Sequence, residues 1–329
     1  MASDSSGSPD SEVVEGHRTV TDSAVHAFAS LTGDYARMHL DHAYARRLHG
    51  GPPIAHGLLS ASWALGVLTR SPWDPLLIHD PRAGVVAFQI RLRKSVSIGD
   101  TLALRWKPAQ ARRGSSLPQV DEHYARVSFE VLNQAEEVTG LGEVTLAYDE
   151  AQALKQKAPE PWSEEEWKCP DAPSVFYAED LLDMGPRGET QGQTLTEVDR
   201  VNFAREVGEL NPRALNAAFA AQTPAGELQA SPMLIFCLGF SEFLQALLTV
   251  PLPDTGFAGH VGDSWRVYRR VCAGDTLVCR HRPLSCTPSK SRPDLAIVEF
   301  GLQFLNQRGE VVQDGVVVMM IPTRDPSMS

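Results

Sequence analysis

Hydrophobic positions alternate with polar ones at period two in two stretches far apart in the chain. Ala125, Val127, Phe129 and Val131 are separated by Arg126, Ser128 and Glu130, and Val298, Phe300, Leu302 and Phe304 are spaced in the same way. That period predicts a strand with one buried face. Two other stretches, Ala55 to Leu68 (AHGLLSASWALGVL) and Pro232 to Leu248 (PMLIFCLGFSEFLQALL), are apolar nearly all round and predict buried helices. Ser241, Glu242 and Gln245 interrupt the second one, which makes it a core helix rather than a membrane span. One long buried helix set against several antiparallel strands is an α+β layer architecture.

These elements occur twice because the chain repeats itself. Thr19-Val20-Thr21 through Phe28-Ala29 matches Thr194-Leu195-Thr196 through Phe203-Ala204 at an offset of 175, with Gly33 on Gly208 and Gly99-Asp100-Thr101-Leu102 on Gly274-Asp275-Thr276-Leu277. Asn133-Gln134 falls on Asn306-Gln307 at 173, so two residues are lost between Pro108–Asp121 and Pro283–Asp294, read as one loop. Thr21 and Thr196 are expected N-caps for a helix carrying the Phe-Ala pair. The GDTL segments are read as polar turns between strands, and Asn306-Gln307-Arg308-Gly309 as a hairpin.

A chain of 329 residues has room for two such units at roughly 150 residues each. The expected organisation is a disordered polar tail over residues 1–16, a first copy over 17–149, and a Pro-rich, charged linker over 150–173. A second copy over 174–324 and a tail over 325–329 complete it. Thirty Lys+Arg against 41 Asp+Glu give a net charge of −11, which disfavours a nucleic-acid partner. The five cysteines form no CxxC pair, which fits a reducing compartment, and no targeting or membrane segment is visible, so a cytoplasmic location is expected.

The two copies differ where chemistry would sit. At the 175 offset Asp34 becomes Glu209, His39 becomes Ala214, Asp41 becomes Asn216, and Ala55-His56-Gly57 becomes Ala230-Ser231-Pro232. A merely structural set would be kept in both halves, so the chemistry is placed in the first. A carboxylate and an imidazole five residues apart on a loop suit acid–base work. Gly57 at a helix start offers a backbone N–H to a developing oxyanion, which Pro232 cannot do. His39-x-x-His42 with Asp41 has metal-ligand residue types, but no recognisable spacing completes a shell, and no metal is expected. Arg91, Arg93, Lys94, Arg266, Arg269 and Arg270 lie on corresponding segments of the two copies and read as a solvated face or as partners for phosphates.

Phe28-Ala29-Ser30-Leu31-Thr32-Gly33-Asp34, His39 and Ile54-Ala55-His56-Gly57-Leu58-Leu59 resemble the MaoC-like (R)-specific enoyl-CoA hydratases, a hotdog-fold family. With Phe176-Tyr177-Ala178-Glu179-Asp180 and Arg266 to Leu277, the whole chain resembles the double-hotdog members, which pair an active half with a degenerate one. The resemblance implies a tandem hotdog that hydrates trans-2-enoyl thioesters or runs the reverse dehydration. Asp34 and His39 would be the acid–base pair, Gly57 would hold the thioester oxygen, His56 would fix the loop, and Ser62 would set hydrogen bonds around the pair. It implies no cofactor beyond the coenzyme A or carrier-protein arm of the substrate, and no membrane. A homodimer of the fused unit is expected. The family's Asn-Pro is Ala36-Arg37 here, whereas the second copy keeps Asn211-Pro212. A hotdog thioesterase and a non-catalytic acyl-thioester binding module are the alternatives.

Overall fold

The computed structural model describes residues 12–107, 123–155, 158–163, 177–180, 188–248 and 259–324. The first half runs β1 (Val13–Thr19), α1 (Asp22–Thr32), α2 (Arg37–Leu40), α3 (His42–His49), α4 (Gly57–Arg70), β2 (Gly84–Leu92), β3 (Thr101–Trp106), β4 (Tyr124–Leu132), β5 (Val138–Ala147) and α5 (Glu150–Ala153). The second half repeats the plan in β6 (Gly188–Glu189), β7 (Gln193–Thr194), α6 (Glu197–Val207), α7 (Pro212–Leu215), α8 (Ala217–Ala220), α9 (Pro232–Leu248), β8 (Gly259–Val267), β9 (Thr276–Pro288), β10 (Leu295–Asn306) and β11 (Val311–Pro322).

The expected caps are present. Thr21 Oγ1 accepts from the Ala24 N–H at 3.1 Å, and Thr196 forms a capping box with Asp199. Both helices end on glycines with φ of 84° and 71°, Gly33 and Gly208, and this left-handed turn starts each loop that follows. Helix α4 is buried from Leu58 to Thr69, in line with its all-round apolar sequence. Helix α6 crosses it so closely that a methyl group on Gly66 would stand 2.0 Å from the Val207 carbonyl oxygen.

The strands among the described residues form one sheet in the order β1-β3-β4-β5-β2-β8-β11-β10-β9-β6, with β7 on β9. The halves join at its centre, where β2 and β8 pair antiparallel with Gln89 opposite Ser264, its own repeat counterpart. The interface is therefore isologous about a pseudo-twofold axis. The same axis brings Ser62 of α4 to 3.8 Å from Cys237 of α9, again a residue and its counterpart. Apolar side chains of both halves make one core. A buried ion cluster ties them as well. The Glu150 carboxylate receives Arg213 Nη1 at 2.6 Å and Arg270 Nε, and the second nitrogens of those arginines donate to the Pro81 and Val85 carbonyls at 2.8 Å.

Three expectations about boundaries change. The strand β1 begins at Val13, inside the segment expected to be a tail. It pairs with β3, and Glu15 accepts from the Trp106 indole at 2.7 Å. Residues 150–153, expected to open the linker, are instead a helical turn anchored by Glu150. In the second copy the strand β9 continues through Pro283 to Pro288, so only part of the segment read as a loop is one. The first-copy loop at 108–121 and the tail at 325–329 lie outside the described residues. The four described cysteines are free.

Removing Glu150 leaves two buried guanidinium groups without their counter-charge. Glu150→Ala is expected to cost about 3–5 kcal/mol of unfolding free energy. Urea denaturation checks this, and a loss under about 1 kcal/mol would contradict the clamp's role.

Candidate active site

Three side chains of the sequence-predicted set, Asp34, His39 and His56, converge at the start of α4. Beyond Gly33 the chain turns Asp34 inward, where one carboxylate oxygen accepts from the Ala36 N–H at 3.2 Å. His39 lies on α2, and His56 is the N-cap residue of α4. Asp34, His39 and His56 are 6%, 8% and 2% exposed, and one heteroatom from each lies within 4.8 Å of the other two.

Hydrogen bonds to carbonyl groups settle which imidazole nitrogens carry protons. His39 Nδ1 is 2.8 Å from the Ile54 carbonyl oxygen, which can only accept, so Nδ1 is the donor and Nε2 keeps its lone pair. His56 Nε2 donates in the same way to the Asp34 backbone carbonyl at 3.0 Å, and its ring lies 3.9 Å from that of His39. Burial, reinforced by the neighbouring His39, pushes the His56 pKa down to about 3. Burial also holds His39 below the usual histidine value against the raising effect of Asp34. Both rings are thus neutral near pH 7, and His39 Nε2 is a base in a buried site.

The bond from His56 to the Asp34 carbonyl ties the start of α4 to the loop after Gly33. The His56 side chain makes no capping hydrogen bond, so the first-turn amides of α4, starting with Gly57, are not capped by it. Position 57 has no room for a side chain, since a methyl group there would meet Leu92 Cδ1 at 2.3 Å and His260 Nδ1 at 3.3 Å. Ser62 is buried, but its hydrogen bond runs to Cys237 instead of the acid–base pair. The Ala36-Arg37 replacement leaves the turn unchanged. Ala36 sits at φ −59°, ψ 130° and Asn211 at φ −61°, ψ 117°, each opening a helix of the same length. Arg37 points outward to Asp41 at 2.8 Å and stacks on Tyr44.

Asp34, His39 and His56 have the residue types of a metal site, and each imidazole has one nitrogen bonded to a carbonyl group and one left over. Asp41 and His42 do not join them, because Asp41 caps α3 and His42 pairs with Asp22 at the surface.

The corresponding place in the second half is a cavity of about 40 Å³ whose wall includes Glu209, Arg213, Ser231, Pro232, Val85 and Arg270. Burial raises the Glu209 pKa to about 7, with a hydrogen bond to Ser231 opposing the shift. Its two histidine counterparts are absent. The first half's site contains a pair that the sequence reading missed, His260 and Asp263 of the second half. At the 175 offset they replace Val85 and Phe88, and comparing the copies for polar residues gained as well as lost would have found them.

Comparison with known proteins bears on the fold and the family of each half. The MaoC like domain family matches residues 5–126, and the FAS1-like dehydratase domain region matches residues 183–315. No curated protein sequence matches the chain. Among solved structures, a Chloroflexus aurantiacus protein described as a MaoC domain dehydratase superposes with a TM-score of 0.71 at 16% identity, covering 96% of each chain. A Mycobacterium tuberculosis protein essential for survival during infection, with a double hotdog fold, gives 0.68 at 14% identity over 95% of this chain and 96% of its own. The Drosophila melanogaster peroxisomal multifunctional enzyme type 2 gives 0.59 at 12% identity over 94% of this chain and 48% of the longer enzyme. The chain thus carries a MaoC-like domain in its first half and a FAS1-like dehydratase region in its second, on a double hotdog fold.

Proposed function

We propose that the protein catalyses the reversible hydration of trans-2-enoyl thioesters to (R)-3-hydroxyacyl thioesters, with the chemistry confined to the first half. The observation that carries this reading is the His39 Nδ1–H bond to the Ile54 carbonyl, which leaves Nε2 as an acceptor beside Asp34 in a buried site. In the hydration direction His39 Nε2 takes a proton from water as its oxygen bonds to the β-carbon. The Asp34 carboxyl delivers a proton to the α-carbon and regains one from the His39 imidazolium, which resets the pair, and the Gly57 N–H steadies the charge developing on the thioester oxygen. His56 holds the Asp34 loop in place through its carbonyl. The matches to two dehydratase domain models support this chemistry over hydrolysis. The substrate arm is that of coenzyme A or a carrier protein.

Crotonyl-CoA hydration, followed as loss of enoyl-thioester absorbance, is expected to slow by about 10²–10⁴-fold in Asp34→Asn and in His39→Gln. Glu209→Gln should stay within a few-fold of wild type, with no free thiol released by any form. Thiol release would replace this reading with a thioesterase, and equal losses in all three variants would contradict a single active half.

Glu209 also makes stability depend on pH. Its folded-state pKa is about 7 against an ordinary 4.5, so the folded protein binds the proton more tightly than the unfolded chain. The stability this proton confers is complete below 4.5 and is lost as pH rises through 7. Glu209→Gln lacks that loss. Relative to wild type it should gain about 3 kcal/mol between pH 4.5 and pH 8 in urea titrations. A pH-independent difference would contradict this.

A further inference from the structure

The second half has lost its own histidines, but it carries an imidazole–carboxylate pair that faces the first half's site. His260 Nε2 lies 2.7 Å from Asp263 Oδ1. The Asp263 side chain is fully buried, and its other oxygen, Oδ2, has no hydrogen-bond partner. The His260 side chain is 13% exposed, and its ring lies 4.8 Å from Phe240 on α9. On the other side, Nδ1 would stand 3.3 Å from a methyl group on Gly57, at the uncapped N-terminus of α4.

Residues three apart on a regular strand point to opposite faces, so these two should not meet. A bulge makes it possible. Gly262 pairs with Val318 and His260 with Met319, which leaves Val261 as an extra residue and returns His260 to the inner face beside Asp263. The repeat has the same bulge, with Val86 extra between Val85 and Ala87, but the two inward positions there are Val85 and Phe88. The strand β2 thus presents apolar groups to the cavity around Glu209, and β8 presents an imidazole and a carboxylate to the site around His39. Identical backbone in both halves with polar residues in only one argues against a purely architectural role.

We propose that His260, oriented by Asp263, binds the substrate by accepting a hydrogen bond at Nδ1 from the arm amide N–H nearest the thioester sulfur. A carboxylate accepts, so Nε2 carries the proton, and in the neutral ring Nδ1 is an acceptor. An acceptor does not suit the thioester oxygen, which the Gly57 N–H serves. It suits an N–H, and the one that every coenzyme A and carrier-protein thioester places close to the sulfur is this amide. The inference rests on the enoyl-thioester reading and deepens it. The second half then completes the first half's binding site.

The test varies the amide and the histidine together. The N-acetylcysteamine thioester of crotonate keeps the amide, and S-ethyl thiocrotonate lacks it. Wild type is expected to favour the first in kcat/KM by about five- to tenfold, the worth of one neutral hydrogen bond. His260→Val takes the residue found at the equivalent position of the repeat and should lose that preference, with a lowered thermal midpoint because the buried Asp263 carboxylate loses its partner. Asp263→Asn keeps the ring but can donate to Nε2, which moves the proton to Nδ1, and should lose the preference too. Crotonyl-CoA and crotonyl carrier protein carry the same amide. His260→Val should slow both by the same factor, and the higher wild-type kcat/KM identifies the source of the arm. In parallel, long-range ¹H–¹⁵N spectra with the saturated butyryl N-acetylcysteamine thioester should move the His260 Nδ1 resonance, and S-ethyl thiobutyrate should not. If wild type hydrates and His260→Val keeps the full amide preference, this inference is overturned and the hydratase reading stands. If hydration fails in wild type but the resonance still moves with the amide-bearing ligand alone, the hydratase reading falls and the contact survives. A resonance that responds to neither ligand overturns the contact.

Discussion

Two helices that are apolar on nearly every face, α4 and α9, set the problem that the rest of the molecule solves. Neither can be covered by its own half's strands on one side alone. The antiparallel pairing of β2 with β8 joins the two half-sheets edge to edge, so both helices pack into one core with Ser62 against Cys237 near the axis. Pairing strands about a pseudo-twofold axis also removes two sheet edges that would otherwise be open to aggregation. The Glu150 cluster with Arg213 and Arg270 reinforces the junction with buried charge.

The junction has a chemical consequence. Each site lies where a loop and helix start of one half meet a strand of the other, as the wall of the Glu209 cavity shows with residues of both halves. Duplication supplies two such places, and divergence has treated them unequally. Around α4 the site keeps a carboxylate, two neutral imidazoles and an uncapped helix start. Around α9 it keeps a buried carboxyl group whose pKa burial has moved to about 7. The second place lacks the separate base that the Asp34–His39 pair offers, which is the reason the proposed chemistry is assigned to the first half.

Much of this was legible in the sequence because it depends on local chemistry. The run Pro232 to Leu248 forms a helix with those bounds, and Thr21, Thr196, Gly33 and Gly208 cap α1 and α6 as expected. The first central helix starts at Gly57 instead of Ala55, since His56 holds a non-helical backbone and spends its Nε2–H on the Asp34 carbonyl. The strand β1 could not be read, because none of its residues is buried and its pairing with β3 depends on long-range contacts such as Glu15 with Trp106. His260 and Asp263 were hidden for a related reason. Their meeting needs a bulge at Val261 and the approach of the other half, neither of which periodicity reports.

The central claim is that two fused halves make one acyl-thioester site, centred on Asp34 and His39. Calorimetric titration of the full chain with butyryl-CoA, which is saturated and cannot be hydrated, tests it most directly. The account predicts one equivalent bound per chain. Two equivalents per chain, or undiminished one-site binding after the loop is disrupted by His56→Ala, would contradict it.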